Sequence, residues 1–323
     1  MIRVSIGTAS VLGLCRIPMA AAPTTAYLMV GGRCVMNCAF CAQGRESQSS
    51  NGSLSRISWP EFPLDKVCIQ LRKAERQGKL DRCCIQVTAE RDSYQQAIRV
   101  VKEIRRTTPL PLSIALLPAD ISQVAELIES GVDRVGIGLD AASERLFREC
   151  KGPHWDHMLS IIEKAAERFP GLASVHLIVG LGESEREMLA RMLWVHDLGH
   201  GIGLFAFTPV RGTALAERPQ PALAQYRRVQ AARWLITQHG ARLAHCAFNG
   251  RGALTGIDLV GWRDALANGE AFRTVGCPGC NRPFYNERPG GTMYNYPRAL
   301  TAVEARQCIQ EMGLESADAC LLP

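Results

Sequence analysis

Short apolar runs rich in β-branched residues alternate along the chain with longer amphipathic stretches. A run of four to eight such residues, closed on both sides by turn residues, reads as a buried strand. The runs are Thr25–Val30, Cys83–Thr88, Leu112–Leu117, Arg134–Leu139, Ser174–Val179, Gly203–Phe207 and Arg242–Ala247. Apolar positions recur at helical spacing across Pro60–Gln77, Ser93–Arg106 and Asp120–Ser130, the last closed by Gly131 as a C-terminal cap. Further helices are expected across His157–Phe169, Ser184–Leu198 and Pro221–His239. Strand followed by helix, repeated in this way, predicts an α/β chain with a parallel sheet, a (β/α) barrel complete or nearly so.

Three stretches break the rhythm. Gly44–Ser58 is polar and reads as a loop. Gly276–Pro297 is rich in Gly and Pro and has no period, so it reads as a functional or covering loop. The last 25 residues offer one helix, around Ala302–Met312, and then a tail. The expected organisation is an N-terminal extension over 1–23, a barrel over 24–270, and a C-terminal extension over 271–323 that carries a Cys-x-x-Cys pair.

Composition narrows the chemistry. The net charge of +6 comes from basic residues spread along the chain, so it does not point to nucleic acid. No apolar run approaches the ~20 residues that a membrane helix needs. Arg3, an apolar stretch and Ala20-Ala21-Ala22 imitate a signal peptide, but Arg16 and Pro18 interrupt the stretch. Thirteen cysteines, an odd number in tight clusters, suit thiolate ligands better than a disulfide framework. A cytoplasmic chain is expected, since thiols stay reduced there.

The tightest cluster reads Gly31-Gly32-Arg33-Cys34-Val35-Met36-Asn37-Cys38-Ala39-Phe40-Cys41. Three thiolates at this spacing can hold three corners of a cubane cluster and leave the fourth iron open to a small molecule. The competing reading is structural zinc, which takes four ligands, often as two distant Cys-x-x-Cys pairs. The motif resembles the signature of the radical S-adenosylmethionine (radical SAM) superfamily, with its three-Cys loop after the first strand of a TIM-type barrel. The resemblance implies a [4Fe–4S] cluster on Cys34, Cys38 and Cys41. It also implies S-adenosylmethionine on the open iron, Phe40 against the adenine, and one-electron cleavage to a 5′-deoxyadenosyl radical.

Later motifs are similar to the biotin synthase-related group, over about Thr24 to Arg251. Asp140 stands where that group has a ribose-binding Asp, with Gly138 in place of an Asn; the alternative is an Asp that caps a helix starting near Ala142. Ile178-Val179-Gly180-Leu181-Gly182-Glu183 is similar to the group's adenine-contacting turn, which implicates Ile178 and Gly180. Arg211-Gly212-Thr213 is similar to its Gly-Thr-Pro turn. Biotin synthase also holds an auxiliary cluster on three strand cysteines and an Arg. Cys84 matches the first cysteine and Arg251 lies near the Arg, but Ser113 and Ser174 replace the other two cysteines.

Cys277-Pro278-Gly279-Cys280 offers two further thiols. They read as part of an auxiliary iron–sulfur cluster, a zinc site, a redox dithiol or free thiols. A cluster needs a third ligand, from Cys15, Cys84, Cys246 or Cys308. Cys68 and Cys150 read as core residues and Cys320 as part of an idle tail. His176 and His245 lie on predicted strands, where a histidine is more often structural than a contact to substrate. The segment resembles the C-terminal motif of one subunit of the two-protein lipoyl synthase. That resemblance implies sulfur insertion into an unactivated C–H bond of an octanoyl chain on a carrier protein. It implies a second radical SAM subunit and an electron donor such as ferredoxin or flavodoxin as well. The alternatives are a carbon-skeleton rearrangement or fragmentation of a small molecule, and a non-catalytic iron–sulfur scaffold.

Overall fold

The computed structural model describes residues 1–314. Six strands pair in parallel, in the order in which they occur: β2 (Thr25–Val30), β4 (Arg82–Val87), β5 (Leu112–Leu116), β6 (Arg134–Asp140), β7 (Ala173–Val179) and β8 (Gly201–Ala206). Two short antiparallel strands extend the β2 side, β1 (Ile2–Val4) and then β3 (Glu61–Phe62). The first residues of the chain therefore join the sheet. Predicted and observed bounds of the six parallel strands agree within two residues at each end.

The strands alternate between two environments. In β7, Val175, Leu177 and Val179 are sealed under the helices, while His176 and Ile178 face the lumen half-buried. In β4, Cys83 and Ile85 pack outward, while Cys84 and Gln86 face inward. Burial of each large apolar side chain contributes about 1.5–3 kcal/mol, so the outward set fixes the register. The inward set is left free for polar and thiol side chains.

A short helix α1 (Ile6–Val11) precedes β2, and longer helices follow the later strands: α2 (Leu64–Arg76), α3 (Ser93–Thr107), α4 (Ile121–Glu129), α5 (Glu144–Cys150), α6 (Trp155–Arg168), α7 (Glu185–Asp197) and α8 (Leu223–His239). Local chemistry sets several ends. The Asp120 carboxylate caps α4 by accepting from the backbone N–H of Ser122 at 2.8 Å. Ser184 and Glu187 form a capping box at the start of α7. α8 stops at Gly240, which adopts φ 65°.

The seventh predicted strand, Arg242–Ala247, is not part of the barrel. Leu243–His245 form a single 3₁₀ turn, and Cys246–Phe248 pair antiparallel with Leu254–Ile257 in a separate hairpin. The run is apolar enough for a strand, but the turn consumes half of it, and Asn249–Gly252 folds it back. The sheet thus has an exposed edge at β8. The C-terminal loop covers that edge: Arg282 Nη2 donates to Leu204 O at 3.3 Å and Asn286 Nδ2 to Ala206 O at 2.7 Å. The same loop ties to the start of β2, where Thr24 Oγ1 donates to Gly279 O at 2.7 Å. The helix predicted near the C-terminus is present as Ala302–Glu311. Cys320 lies outside the described residues.

Candidate active site

The three-cysteine loop leaves the C-terminal end of β2 at Gly31, whose φ is +92°. A Cβ there would stand 2.2 Å from Thr88 Oγ1, so only glycine fits. Arg33 then organises the loop, donating to Gly44 O, Ser47 O and Ser49 O at 3.0, 2.9 and 2.8 Å. Backbone bonds hold the cysteines: Cys34 N to Gln43 O, Ala39 N to Cys150 O, and Cys41 N to Cys38 O. Arg211-Gly212-Thr213 closes over the tail of the loop, with Gln48 N donating to Gly212 O at 2.7 Å.

Cys34, Cys38 and Cys41 are free thiols that line one cavity of about 230 Å³, together with Phe40, Asp140 and Lys151. Burial pushes the Cys38 thiol up to about 12 and that of Cys41 to about 11. Among the described residues, no three His, Cys, Asp or Glu side chains converge as the ligands of a single metal ion do. The three thiols line that one cavity from a single loop, as three ligands of a cubane cluster would.

Asp140 ends β6 in the left-handed region, at φ +66°, just after an irregularity in its pairing with β7. Its Oδ2 accepts from Lys151 Nζ at 2.7 Å, and Lys151 also donates to Gly138 O. The helix-cap alternative fails, because α5 begins at Glu144 with Ser143 in the cap position. The Asp140 carboxylate faces the cavity instead. Lys151 has no motif around it and was not singled out in the sequence.

After β7, Gly180 and Gly182 adopt φ +105° and +119°. They wrap the backbone around the Glu183 carboxylate, which accepts from the N–H groups of Gly180, Leu181 and Gly182 at 2.6, 3.0 and 3.1 Å. Burial raises the Glu183 pKa while these bonds oppose the shift. Phe40 and Ile178 meet in one apolar cluster with Leu181 and Phe207. Both also line a second cavity of about 180 Å³ that shares Asp140 and His176 with the first. His176 is seated between Gly136 and Gly203 on the flanking strands; a Cβ at either would come within 2.8 Å of the imidazole. Burial pulls its pKa down to about 4.

A second thiol group sits nearer the N-terminal ends of the strands. The loop from Gly276 delivers Cys277 to Ser113, whose Oγ donates to Cys277 Sγ at 3.2 Å. Cys280 lies 3.3 Å from Tyr27 OH. Cys84 of β4 pairs in the sheet with both Tyr27 and Ser113; burial first, then charge on Cys277 and Cys280, raises its pKa well above the ordinary thiol value. Of the four cysteines considered as a third ligand, Cys84 is the one brought to the pair. Cys15 lies beside Ile6 O, Cys246 is on the hairpin, and Cys308 is buried in the C-terminal helix. Arg251 is on the hairpin turn, and His245 is in the 3₁₀ turn with its Nδ1 accepting from Arg242 N. The side chain of Arg282 instead lies at the thiols, with its guanidinium carbon 3.7 Å from the centre of the Phe205 ring. Trp59 Nε1, Arg282 Nε and Tyr285 OH are buried here without partners.

Comparison with known proteins bears on this arrangement. The model of the radical SAM superfamily matches residues 28–195. The chain belongs to the radical SAM superfamily. It is 27% identical over 195 residues to a biotin synthase of Sulfurihydrogenibium sp., covering 58% of this chain and 55% of that one. It is 25% identical over 188 residues to a lipoyl synthase of Chlorobaculum tepidum, covering 55% and 59%. The chain thus spans little more than half the length of these relatives. In fold it resembles HydG, a maturase of the [FeFe]-hydrogenase, with TM-score 0.54, 13% identity, and coverage of 66% of this chain and 50% of that one. It also resembles methylornithine synthase, with TM-score 0.53, 12% identity, and coverage of 66% and 61%. Radical SAM proteins use a [4Fe–4S] cluster, S-adenosylmethionine and an electron donor. The residues here fit that demand: three free thiols on one loop offer three ligands and leave room in the cavity beside them. No helix among the described residues is long and apolar enough to cross a membrane.

Proposed function

We propose that this chain inserts sulfur into an unactivated C–H bond of a protein-bound octanoyl chain, in the manner of a lipoyl synthase. In this reading Cys34, Cys38 and Cys41 bind the [4Fe–4S] cluster, and Cys84, Cys277 and Cys280 bind a second iron–sulfur cluster that donates the sulfur. The observation that carries the reading is the place of Cys84 in the sheet, paired with Tyr27 on one side and Ser113 on the other, the two residues that contact Cys280 and Cys277. A structural zinc pair in a surface loop would not need a buried strand cysteine beside it.

The chemistry that the [4Fe–4S] cluster supplies when bound is one-electron cleavage of S-adenosylmethionine, giving a radical that takes hydrogen from carbon. The chain's own residues do the rest. Asp140, held by Lys151, accepts hydrogen bonds from the ribose. Phe40 and Ile178 pack against the adenine, and the Gly180 turn brings backbone close to it. Leu54, Phe205 and Tyr285 line the second cavity, beside Phe40 and Asp140, and keep water from the reacting carbon. An octanoylated carrier protein, a second radical SAM subunit and a ferredoxin- or flavodoxin-type electron donor complete the system.

The test is anaerobic reconstitution followed by iron and sulfide counting and incubation with an octanoyl-lysine peptide, with mass spectrometry for added sulfur. Two clusters per chain are expected. Cys277→Ala should still form 5′-deoxyadenosine but add no sulfur. Sulfur insertion by that variant, or a single cluster in the unaltered chain, would sink the reading; the single cluster would favour rearrangement or fragmentation of a small molecule.

A further inference from the structure

A polar cavity of about 340 Å³ opens beside the starts of the strands and is lined by Cys277 and Cys280. It is distinct from the two cavities at the Cys34–Cys41 loop, with which it shares no lining residue. Arg233 of α8 also lines it. That side chain is unusual: the residue is only 6% exposed, and its Nε has no hydrogen-bond partner. Among the described residues it forms no ion pair; its guanidinium lies 6.0 Å from the centre of the Trp234 ring, and Tyr226 is also near enough to act on it.

A buried guanidinium without an anion is costly, because desolvation is not repaid by a partner. The carboxylates of the cavity do not repay it. Glu270 is held by Arg273 at 2.9 and 3.0 Å, and Asp81 is exposed to water. The thiols at the inner end are likewise set among cations. Arg82 Nε donates to Pro278 O at 3.0 Å, and both Arg82 and Arg282 bear on Cys280. With Glu270 paired to Arg273, the cavity lining offers Arg233 against the exposed Asp81, and Arg82 and Arg282 stand at its inner end beside the thiols.

We propose that this cavity is an anion port. A small anion with the size and charge of hydrosulfide binds beside Arg233 and reaches Cys277 and Cys280 from the barrel face opposite Cys34, Cys38 and Cys41. Binding involves no covalent or redox step. Use of the port to resupply sulfur rests on the second-cluster reading above; the anion site itself does not.

The test is alkylation of the full chain in its thiol form at low ionic strength, read by peptide mass spectrometry. Iodoacetate is the anionic probe, and iodoacetamide is the neutral probe of similar size. The iodoacetate-to-iodoacetamide rate ratio at Cys277 should exceed that at Cys246 on the hairpin. Arg233→Gln should lower the Cys277 ratio about fivefold and Asp81→Asn should raise it about twofold, since a single charge acts over several ångströms of partly screened space. Iodoacetamide rates should stay level in both variants. A ratio at Cys277 no higher than at Cys246, or one that neither substitution moves, overturns the port. Should Arg233→Gln not fold, Asp81→Asn decides alone, and no rise overturns it. A single cluster per chain with charge selectivity intact would remove the second-cluster reading and leave the port standing.

Discussion

Asp140 and Lys151 show how much one side chain can depend on a residue that the sequence does not advertise. Lys151 is almost wholly buried, and its ammonium is shared between the Asp140 carboxylate and Gly138 O. Lys151→Met should cost about 3 kcal/mol or more in a denaturant titration, because a carboxylate would be left buried without its partner. Asp140→Asn should weaken S-adenosylmethionine about tenfold or more in equilibrium binding to the reconstituted protein, the loss expected for charged hydrogen bonds. His176 gives a pH effect with a definite sign. Its folded pKa of about 4 lies below the ordinary 6.5, so the unfolded chain takes up the proton first as pH falls. The stability it contributes is complete above about pH 6.5 and is lost between 6.5 and 4. Asp140 opposes this shift, while Arg282 and Lys151 add to it. Urea midpoints at pH 7 and 4.5 should differ less in His176→Phe than in the parent chain. Asp140 was legible because it ends a strand inside a motif. Lys151 was not, because a lysine after a short helix reads as solvent-exposed until the strand that it meets is in place.

At the scale of elements, the loop after β2 is shaped by close approach. Gly31→Ala would drive a methyl group into Thr88 and force φ +92° on a residue that avoids it. The outcome expected is a chain whose far-ultraviolet circular dichroism is unchanged but whose iron content after reconstitution falls by at least half. The six parallel strands were legible, since β-branched runs sealed on the outer face leave a clear pattern in the sequence. The run at Arg242–Ala247 carries the same pattern, yet the hairpin claims its end, because pairing with Leu254–Ile257 satisfies its backbone locally. The short β1 and β3 were not legible. Three and two residues carry too little periodicity to be seen.

Across the whole molecule, the C-terminal loop is the part that makes an open sheet into a closed lumen. Asn286 donates to Ala206 O and Thr208 Oγ1, and its own Oδ1 accepts from Asn295. Asn286→Ala should loosen this closure, raising amide hydrogen exchange at β8 while leaving β4 and β5 protected. The motif Cys277–Cys280 was visible in the sequence, but its companion was only one of four candidates, Cys15, Cys84, Cys246 and Cys308. Cys84 lies in a distant strand, and only the return of the loop across the barrel sets Cys277 and Cys280 against Ser113 and Tyr27, its partners in the sheet. Ser113 illustrates the same point: it replaces a cysteine expected by resemblance, and the loop sets Cys277 against its hydroxyl.

One consequence follows for how such a chain matures. The residues that ring the upper cavity are all present once β2 through β7 have been made, whereas Cys277 and Cys280 arrive near the end of synthesis. The loop that carries the lower thiols also joins β8 to β2, through Arg282 and Gly279. The lower thiols are therefore made last, on the same loop that shuts the barrel. The order of the polypeptide thus places the Cys34–Cys41 end of the lumen first and the end that completes the lumen second.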